Sequence, residues 1–276
     1  MQDRASELHQ GHARASAQAA GVAGSAAAVS EFASAVVCLL AQRSAKKPKI
    51  FADPPRDDVV DSLVAAALSG TERAFDTLMG HFRKSRISYA MLADVYIPEA
   101  ARAMGEAWLD DSLSWLDVSI GTARLQSLLR EIGAAWAADQ ADVESHGVVL
   151  LLVPQGEQHT LGPMVAMGQL RRLGVSVCLR FAPSHRELTG LLEDKHFDGI
   201  LISLATEERV QSAAILLRFL RSIGKKLPPI VVGGPIVKEK PQLMPCIGAD
   251  FSCIDIPTAM EAIGLIVTEQ GSLKRA

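Results

Sequence analysis

The chain has 276 residues, of which 49% are hydrophobic and 5% aromatic, and its formal net charge is −3. This length accommodates two domains with sizeable cores, and a charge so close to zero argues against broad, nonspecific nucleic-acid binding. The cysteines at positions 38, 178, 246 and 253 show no CxxC spacing, and neither a membrane-spanning run nor a signal peptide is evident. We therefore expect a reduced, cytoplasmic protein that does not associate with membranes.

Residues 1–50 are rich in Ala, Ser, Gln and Gly, which predicts a flexible N-terminal segment. Within it, residues 25–42 carry apolar side chains at helical spacing, which predicts an amphipathic helix. Its apolar stripe is suited to docking either on the rest of the protein or on a partner. The simpler interpretation is a docked helix without chemistry.

Residues 57–140 follow a helical period throughout. The apolar spacing predicts four helices, over about 57–69, 71–82, 89–108 and 116–136. Because the loops between them are short, we expect a small antiparallel four-helix bundle.

From residue 146 to residue 271 the pattern changes to strands that alternate with helices. The predicted strands cover about 148–153, 176–181, 199–203, 230–232 and 251–254. Several are β-branched and apolar, as strands buried on both faces should be. This arrangement predicts a doubly wound α/β domain with a flavodoxin-like five-stranded parallel sheet of order 2-1-3-4-5, preceded by the bundle.

The loop after the first predicted strand reads Gly156-Glu157-Gln158-His159-Thr160-Leu161-Gly162. It has neither a G-x-G-x-x-G pattern nor a P-loop lysine, which disfavours a dinucleotide or a nucleoside triphosphate. A histidine here lies at the edge where open α/β sheets bind ligands. A carboxylate two residues earlier can orient its second ring nitrogen, as carboxylates do for metal-bound imidazoles. The loop therefore predicts a tetrapyrrole-like metal cofactor at the sheet edge.

Two further loops lie at the same predicted edge. Ser203 and Thr206 follow the third strand, where we expect them to hydrogen-bond a polar group of the ligand. Gly233 and Gly234 follow the fourth strand, where missing side chains let a large ligand approach the backbone. Each of these features alone, including a lone histidine, more often has a purely structural role. Three such loops on one edge of the sheet together indicate a binding site.

These three loops resemble the motifs of the cobalamin-binding domain family, which are Asp-x-His-x-x-Gly, Ser-x-Leu and Gly-Gly. The bundle resembles the helical cap that covers the upper face of the corrin in that family, so the resemblance spans about residues 57–270. It implies that His159 ligates cobalt from below and that Glu157, in place of the usual Asp, hydrogen-bonds His159. Ser203 would meet the displaced dimethylbenzimidazole base, and the glycines would give the nucleotide tail room. The cofactor-binding residues expected on this basis are Glu157, Gln158, His159, Thr160, Gly162, Ser203, Leu204, Thr206, Gly233, Gly234 and Trp108, with His159 as the metal ligand.

The chain departs from the family pattern at two places. Leu204 follows Ser203 directly, whereas the family spacing puts Ala205 at the leucine position. Cobalamin-dependent photoreceptor repressors usually carry Glu-His ten and eleven residues after the cap tryptophan, but counted from Trp108 these positions hold Val and Ser. The usual upper histidine ligand is thus absent there. We expect Trp108 either to pack on the upper face of the macrocycle or to lie in the bundle core, and Trp115 to lie in a core or an interface.

The segment Asp117-Val118-Ser119-Ile120-Gly121-x-x-Arg124-Leu125-Gln126 resembles regulators of the AerR/PpaA group, which are related to the heme-binding SCHIC domains. That resemblance implies a cytoplasmic antirepressor, not an enzyme, that binds hydroxo- or adenosylcobalamin and responds to light or redox state. Its implied partner is a CrtJ/PpsR-type repressor of photosynthesis and tetrapyrrole genes, through which alone it reaches DNA. Two alternatives stay open. One is a heme sensor in which His159 ligates iron, and the other is an enzyme component such as a corrinoid shuttle of a methyltransferase system.

Overall fold

A computed structural model of the chain describes residues 54–69, 71–85, 87–139, 146–223 and 226–265. The predicted N-terminal helix lies outside the described residues, as does the end of the predicted sheet domain beyond Leu265. From Pro55 onward the chain forms one compact unit. No helix in the described ranges is both long and apolar enough to cross a membrane.

The first part of this unit is the predicted helical bundle. Its helices are α1 (Asp57–Ser69), α2 (Glu72–Lys84), α3 (Tyr89–Met91, a π-helical turn Leu92–Tyr96, and Ile97–Leu109) and α4 (Trp115–Asp139). Polar residues begin two of them. Ser88 accepts the N–H of Met91 at the start of α3, and Ser114 exchanges hydrogen bonds with Asp117 at the start of α4. Such reciprocal capping satisfies backbone donors that the first helical turn leaves free.

The second part is a five-stranded sheet in the order 2-1-3-4-5, with every neighbouring pair parallel, which confirms the predicted topology. The strands are β1 (Gly147–Val153), β2 (Val175–Phe181), β3 (Gly199–Ser203), β4 (Ile230–Gly233) and β5 (Phe251–Cys253). The helices are α5 (Leu161–Arg172), α6 (His185–Asp194), α7 (Val210–Ser222), α8 (Pro235–Glu239), α9 (Met244–Ile247) and α10 (Ile256–Ile263).

Two aspartates tie the strands together at the amino edge of the sheet. Asp198 accepts the N–H of Val148 at 2.8 Å, and Asp250 accepts the N–H of Ile230 at 2.8 Å. Each aspartate directly precedes one strand and hydrogen-bonds the start of the neighbouring strand. At the opposite edge, Ser203 is paired in register with Gly233. The loops that follow β3 and β4 therefore begin side by side.

The side chains of the strands alternate between two apolar layers, as the two-residue period of a strand requires. One layer packs against α6 and α7 and includes Leu150, Leu152, Ile200, Ile202, Ile230 and Val232. The other packs against α5 and α10 and includes Val149, Leu151, Leu201, Val231, Leu170 and Met260.

The bundle shares its core with α5 of the sheet domain. Leu161, Met164 and Val165 of α5 belong to the same buried cluster as the bundle side chains. Polar contacts hold both ends of α5: Gln126 of α4 donates to Thr160 Oγ1 at 2.7 Å, and Arg172 pairs with Asp94. The bundle is thus attached along the whole of α5, which begins at the carboxyl edge of the sheet.

The π-helical turn Leu92–Tyr96 is a difference from the uninterrupted helix that the apolar spacing predicts. The turn inserts one residue into a helical turn and so shifts the face of the helix that follows. It contains Asp94, the residue that reaches Arg172 at the end of α5. This feature of α3 therefore lies where the bundle meets the sheet domain.

Candidate functional site

A cavity of about 1240 Å³ lies between the bundle and the carboxyl edge of the sheet. Cavities that hold small ligands are typically about 300–1,000 Å³, so this one accommodates a larger molecule. Its upper wall comes from the second half of α3 and the first half of α4. Its lower wall comes from the loops after β1, β3 and β4, where the sequence predicts the site.

His159 stands at the mouth of this cavity with Glu157 behind it. The side chain of His159 is 63% exposed, whereas that of Glu157 is 1% exposed. Glu157 Oε1 lies 2.7 Å from His159 Nδ1 and also accepts the backbone N–H of His159 at 2.9 Å. When Nδ1–H donates to this carboxylate, the lone pair of the neutral ring is on Nε2. The pair therefore presents a ring nitrogen that is free to bind a metal.

The second oxygen of Glu157 connects the first loop to another one. Glu157 Oε2 accepts the backbone N–H of Ala205, in the loop after β3, at 3.0 Å. Sequence reasoning missed this contact, because a backbone donor leaves no mark on the residue type. Ala205 also lines the cavity, at the position where the family pattern has leucine.

The charge of this pair follows from its hydrogen bonds. Burial acts to raise the pKa of Glu157, but the bonds from the His159 ring, the His159 N–H and the Ala205 N–H outweigh it and hold the pKa at about 2. The hydrogen bond to Glu157 in turn raises the pKa of His159 above its ordinary value, against burial and the nearby Arg209 guanidinium. Glu157 is therefore ionised at neutral pH, as the carboxylate partner of a metal-binding imidazole should be.

Two of the predicted glycines leave room that the protein itself does not fill. A Cβ built on Gly162 meets no atom within 4 Å, and one on Gly233 meets only the Cys253 carbonyl oxygen, at an ordinary 3.5 Å. Both glycines line the cavity. Since packing does not require glycine at either position, the open space suits a ligand that approaches the backbone.

Gly234 has a different role from the one the sequence predicts. Its φ is +117°, and a Cβ there would lie 2.2 Å from the carbonyl oxygen of Leu204. Gly234 is thus required by the close approach of two loops, although it lies in the cavity wall as well.

Three of the predicted binding residues do not line this cavity: Glu157, which lies behind His159, and Leu204 and Thr206. Leu204 is fully buried in the layer between the sheet, α6 and α7. Adjacent residues at a strand end point to opposite sides, so Ser203 faces the cavity and Leu204 does not. Thr206 begins the 3-10 turn Glu207–Arg209 and accepts the N–H of Arg209 through its carbonyl. The other predicted residues that line the cavity are Gln158, His159, Thr160, Gly162, Ser203, Gly233, Gly234 and Trp108.

The upper wall carries both tryptophans that the sequence singles out. Trp108 lines the cavity and is exposed, so it does not lie in the bundle core. Trp115 also lines the cavity and is 68% exposed, which excludes a core, one of the two positions expected for it. The upper wall also includes several small residues of α3 and α4, which are Ala101, Gly105, Ser119, Thr122 and Ala123.

The cavity extends from the sheet edge into an apolar cleft. Its walls there are formed by one face of the sheet and by α5 and α10, through Leu151, Leu201, Val231, Val165, Ala166 and Ala259. The ionisable side chains of the remaining wall are Arg102, Glu106, Glu239 and Asp255, and Arg102 pairs with Glu99 at 2.7 Å. Besides His159, the described wall therefore offers three carboxylates and one guanidinium. In the described ranges no group of three or more His, Cys, Asp or Glu side chains is placed to hold a metal ion.

Comparison with known proteins adds a relative and a structural neighbour. No family model matches the chain. A protein of Rhodobacter capsulatus, named as an uncharacterized 20.5 kDa protein in the bchF-crtJ intergenic region, is 36% identical over 191 residues. The match covers 69% of this chain and 100% of the relative.

Among solved structures, the monomethylamine corrinoid protein of Methanosarcina barkeri superposes with a TM-score of 0.59 at 12% identity. The superposition covers 76% of this chain and 97% of that protein. At such low identity the likeness shows a common fold and no more. The identity to the Rhodobacter protein over its full length goes further, and it shows that this chain belongs to the same family as the bchF-crtJ intergenic-region protein.

Proposed function

We propose that the protein is a cobalamin-binding transcriptional regulator that acts through a partner repressor and is not an enzyme. The observation that carries the cofactor assignment is the His159–Glu157 pair at the mouth of a cavity that continues into an apolar cleft. A corrinoid needs both features: a lower imidazole ligand for cobalt, and a separate space for its nucleotide tail.

The residues present fit this group. His159 Nε2 would ligate cobalt, with Glu157 orienting the ring through Nδ1. The open space at Gly162 and Gly233 would receive the nucleotide tail, and Ser203 would face its base. Trp108 would cover the upper face of the macrocycle. When bound, the cobalamin would supply a cobalt centre capable of ligand exchange in response to light or redox state.

The charges in the wall favour cobalamin over heme. Heme carries two propionates that proteins usually meet with Arg or Lys, whereas the periphery of a corrin consists largely of neutral amides. The described wall has three carboxylates and one guanidinium, that of Arg102, which pairs with Glu99; the Arg209 guanidinium lies near His159 but is not part of the wall. A heme would also leave the apolar cleft between the sheet, α5 and α10 unfilled, because it has no nucleotide tail.

Two observations support a regulator over a corrinoid shuttle. The segment from Asp117 to Gln126 resembles the AerR/PpaA regulators. The name of the Rhodobacter relative places its gene beside crtJ. The resemblance to the AerR/PpaA regulators implies a CrtJ/PpsR-type repressor as the partner. The fold is common to carriers and regulators, so the monomethylamine corrinoid protein does not decide between them. We place the protein in the cytoplasm, with contact to DNA only through the repressor.

The cofactor assignment is tested by titrating the full chain with hydroxocobalamin and, separately, with hemin, in the dark and under light. We expect stoichiometric cobalamin binding with a shifted absorption spectrum that His159→Ala abolishes. His196→Ala is the matched control, since His196 lies at the amino edge of the sheet and its side chain is 90% exposed. Binding of hemin alone would move the protein to the heme sensors, and binding of neither would refute a cofactor role.

The regulatory assignment needs a separate measurement, made with a purified CrtJ/PpsR-type repressor and its operator DNA. We expect the cobalamin-loaded protein to change the affinity of the repressor for DNA, and to bind the DNA poorly by itself. Transfer of a methyl group to or from the bound corrinoid, without any effect on the repressor, would identify a shuttle instead.

A further inference from the structure

Exposed apolar side chains are concentrated at one end of the bundle. Five of the exposed large hydrophobic side chains come from the end of α3 and the start of α4. We call this surface the cap tip; it consists of Trp108, Leu109, Trp115, Leu116 and Ile120. Exposed apolar patches of this kind mark interaction sites in soluble proteins.

The cap tip has an inner and an outer part. Trp108, Leu109 and Trp115 line the cavity, so a bound cofactor accounts for their exposure. Leu116 and Ile120 do not line it, yet they are 58% and 40% exposed. They are four residues apart on α4 and so lie next to each other on one face of the helix. A cofactor in the cavity leaves this outer pair for another occupant.

The charges around Leu116 and Ile120 indicate which kind of partner this surface would bind. Residues 103–123 contain Glu106, Asp110, Asp111 and Asp117 but no Lys, Arg or His, and all four carboxylates are exposed. In a symmetric dimer the same patch would face itself and bring these like charges together. A partner with positive charges around an apolar stripe would instead be attracted.

We propose that the cap tip binds a basic amphipathic helix of the partner protein. The apolar face of that helix packs on Leu116 and Ile120, and its Lys and Arg side chains lie against Asp110 and Asp111. This proposal rests on the proposed function, because the cap tip would be the surface on which the partner repressor docks. Trp115 belongs to both the cap tip and the cavity wall, so the partner would contact a residue that the cofactor also touches.

The test uses the full chain and a synthetic 18-residue helical peptide of Leu and Lys at amphipathic spacing, with a Leu and Glu peptide as the charge control. Binding is measured by fluorescence anisotropy of the labelled peptide. We expect the Lys peptide to bind and the Glu peptide not to bind. Leu116→Glu with Ile120→Glu should weaken binding at least about tenfold, which corresponds to about 1.4 kcal/mol. Ile215→Glu, at a residue of α7 that is 46% exposed, is the matched control and should leave binding unchanged.

The contribution of charge is measured with Asp110→Asn and Asp111→Asn combined. We expect weaker binding of the Lys peptide and a smaller dependence on salt concentration. Asparagine is chosen because Asp111 has a φ of 57°, which asparagine tolerates. The CrtJ/PpsR-type repressor should compete with the Lys peptide for the wild-type protein.

Several results would overturn the proposal. One is equal binding of the Lys peptide to wild type and to the Leu116→Glu, Ile120→Glu variant. Another is a homodimer in analytical ultracentrifugation that this variant dissociates, which would make the occupant a second copy. A repressor that fails to compete would refute this surface as its docking site. Because Leu116 and Ile120 lie outside the cavity, the double variant should still bind hydroxocobalamin. The two proposals can therefore fail separately: a wild-type protein that does not bind hydroxocobalamin refutes the proposed function, whereas the peptide measurements test the cap tip.

Discussion

Glu157 organises the site, because one buried carboxylate satisfies three donors from two loops. It holds the ring and the backbone of His159 with one oxygen, and the N–H of Ala205 with the other. Its side chain has one methylene more than the aspartate usual at this position in cobalamin-binding domains. Through its second oxygen, Glu157 connects the loop after β1 to the loop after β3. The position of His159 is thereby coupled to the loop that follows Ser203.

Gly233, the last residue of β4, and Gly234, the next residue, should respond differently to the same substitution. Gly234→Ala places a Cβ 2.2 Å from the Leu204 carbonyl oxygen at a φ of +117°, so we expect a loss of stability on the order of 3 kcal/mol or more. Gly233→Ala meets only an ordinary contact. We expect that variant to fold with near wild-type stability but to bind hydroxocobalamin at least about tenfold more weakly. Urea denaturation and absorption titration separate the two effects. Normal cobalamin binding by Gly233→Ala would contradict the assignment of that space to the ligand.

The hydrogen bond between Gln126 and Thr160 should stabilise the junction of the bundle and the His159 loop. Gln126→Ala and Thr160→Val each remove it, and we expect each to cost about 1 kcal/mol of unfolding free energy. Combined, they should cost less than the sum, because the second substitution has no bond left to remove. Ser127→Ala, at the next residue of α4, is the control. Strictly additive effects on unfolding would show that the two side chains do not act together.

Helices and strands were predictable from the sequence wherever their apolar residues keep one regular spacing. The apolar spacing places all four bundle helices and all five strands to within a few residues of the observed bounds. The π-helical turn Leu92–Tyr96 was not predictable, because one inserted residue barely disturbs a 3.6-residue pattern. What accompanies it is an ion pair between Asp94 and Arg172, which are 78 residues apart.

The junction of β4, β5 and α7 gives a pH-dependent prediction. Burial acts to raise the pKa of Asp250, but the hydrogen bonds from Arg221 and from the Ile230 N–H outweigh it and lower that pKa. A lowered pKa stabilises the fold above the ordinary value of 3.8, and the contribution is lost as pH falls through the lowered pKa. At neutral pH we expect Asp250→Asn to cost about 1 kcal/mol, a modest figure because the group is partly exposed.

The difference between wild type and Asp250→Asn should shrink below about pH 4, where Asp250 becomes protonated in the unfolded chain, and vanish as the folded carboxyl is protonated at its lowered pKa. Urea denaturation from pH 7 to pH 3 measures it. Asp61→Asn, at an exposed position of α1, is the control. A difference that stays constant over this range would contradict the role of the charge.

On the scale of the whole molecule, the bundle and the sheet domain should unfold together. Leu161, Met164 and Val165 of α5 are buried in the bundle core, so neither part can separate without exposing them. All three tryptophans of the chain belong to α3 and α4, and their fluorescence therefore reports on the bundle alone. Far-UV circular dichroism reports on both parts.

We expect the fluorescence and dichroism transitions in urea to coincide. Met164→Ala should lower the unfolding free energy by about 2 kcal/mol and shift both transitions equally, because it opens a cavity in the shared core. Ile215→Ala, at an exposed position of α7, should shift neither. A dichroism curve in two steps, with only the first matching the fluorescence, would show that the two parts are independent.

The sequence alone determined the order of elements, the parallel sheet and the edge at which the three loops meet. These follow from local apolar periodicity and from the geometry that parallel strands impose, so residue types and spacing suffice. Tertiary structure alone decided which residues of those loops face the cavity, as the exclusion of Leu204 and the exposure of Trp115 show. It also decided that a backbone N–H at Ala205 completes the carboxylate site and that α5 is shared between two cores. Those features depend on the direction of single side chains and on contacts between distant segments, which the spacing of residues does not encode.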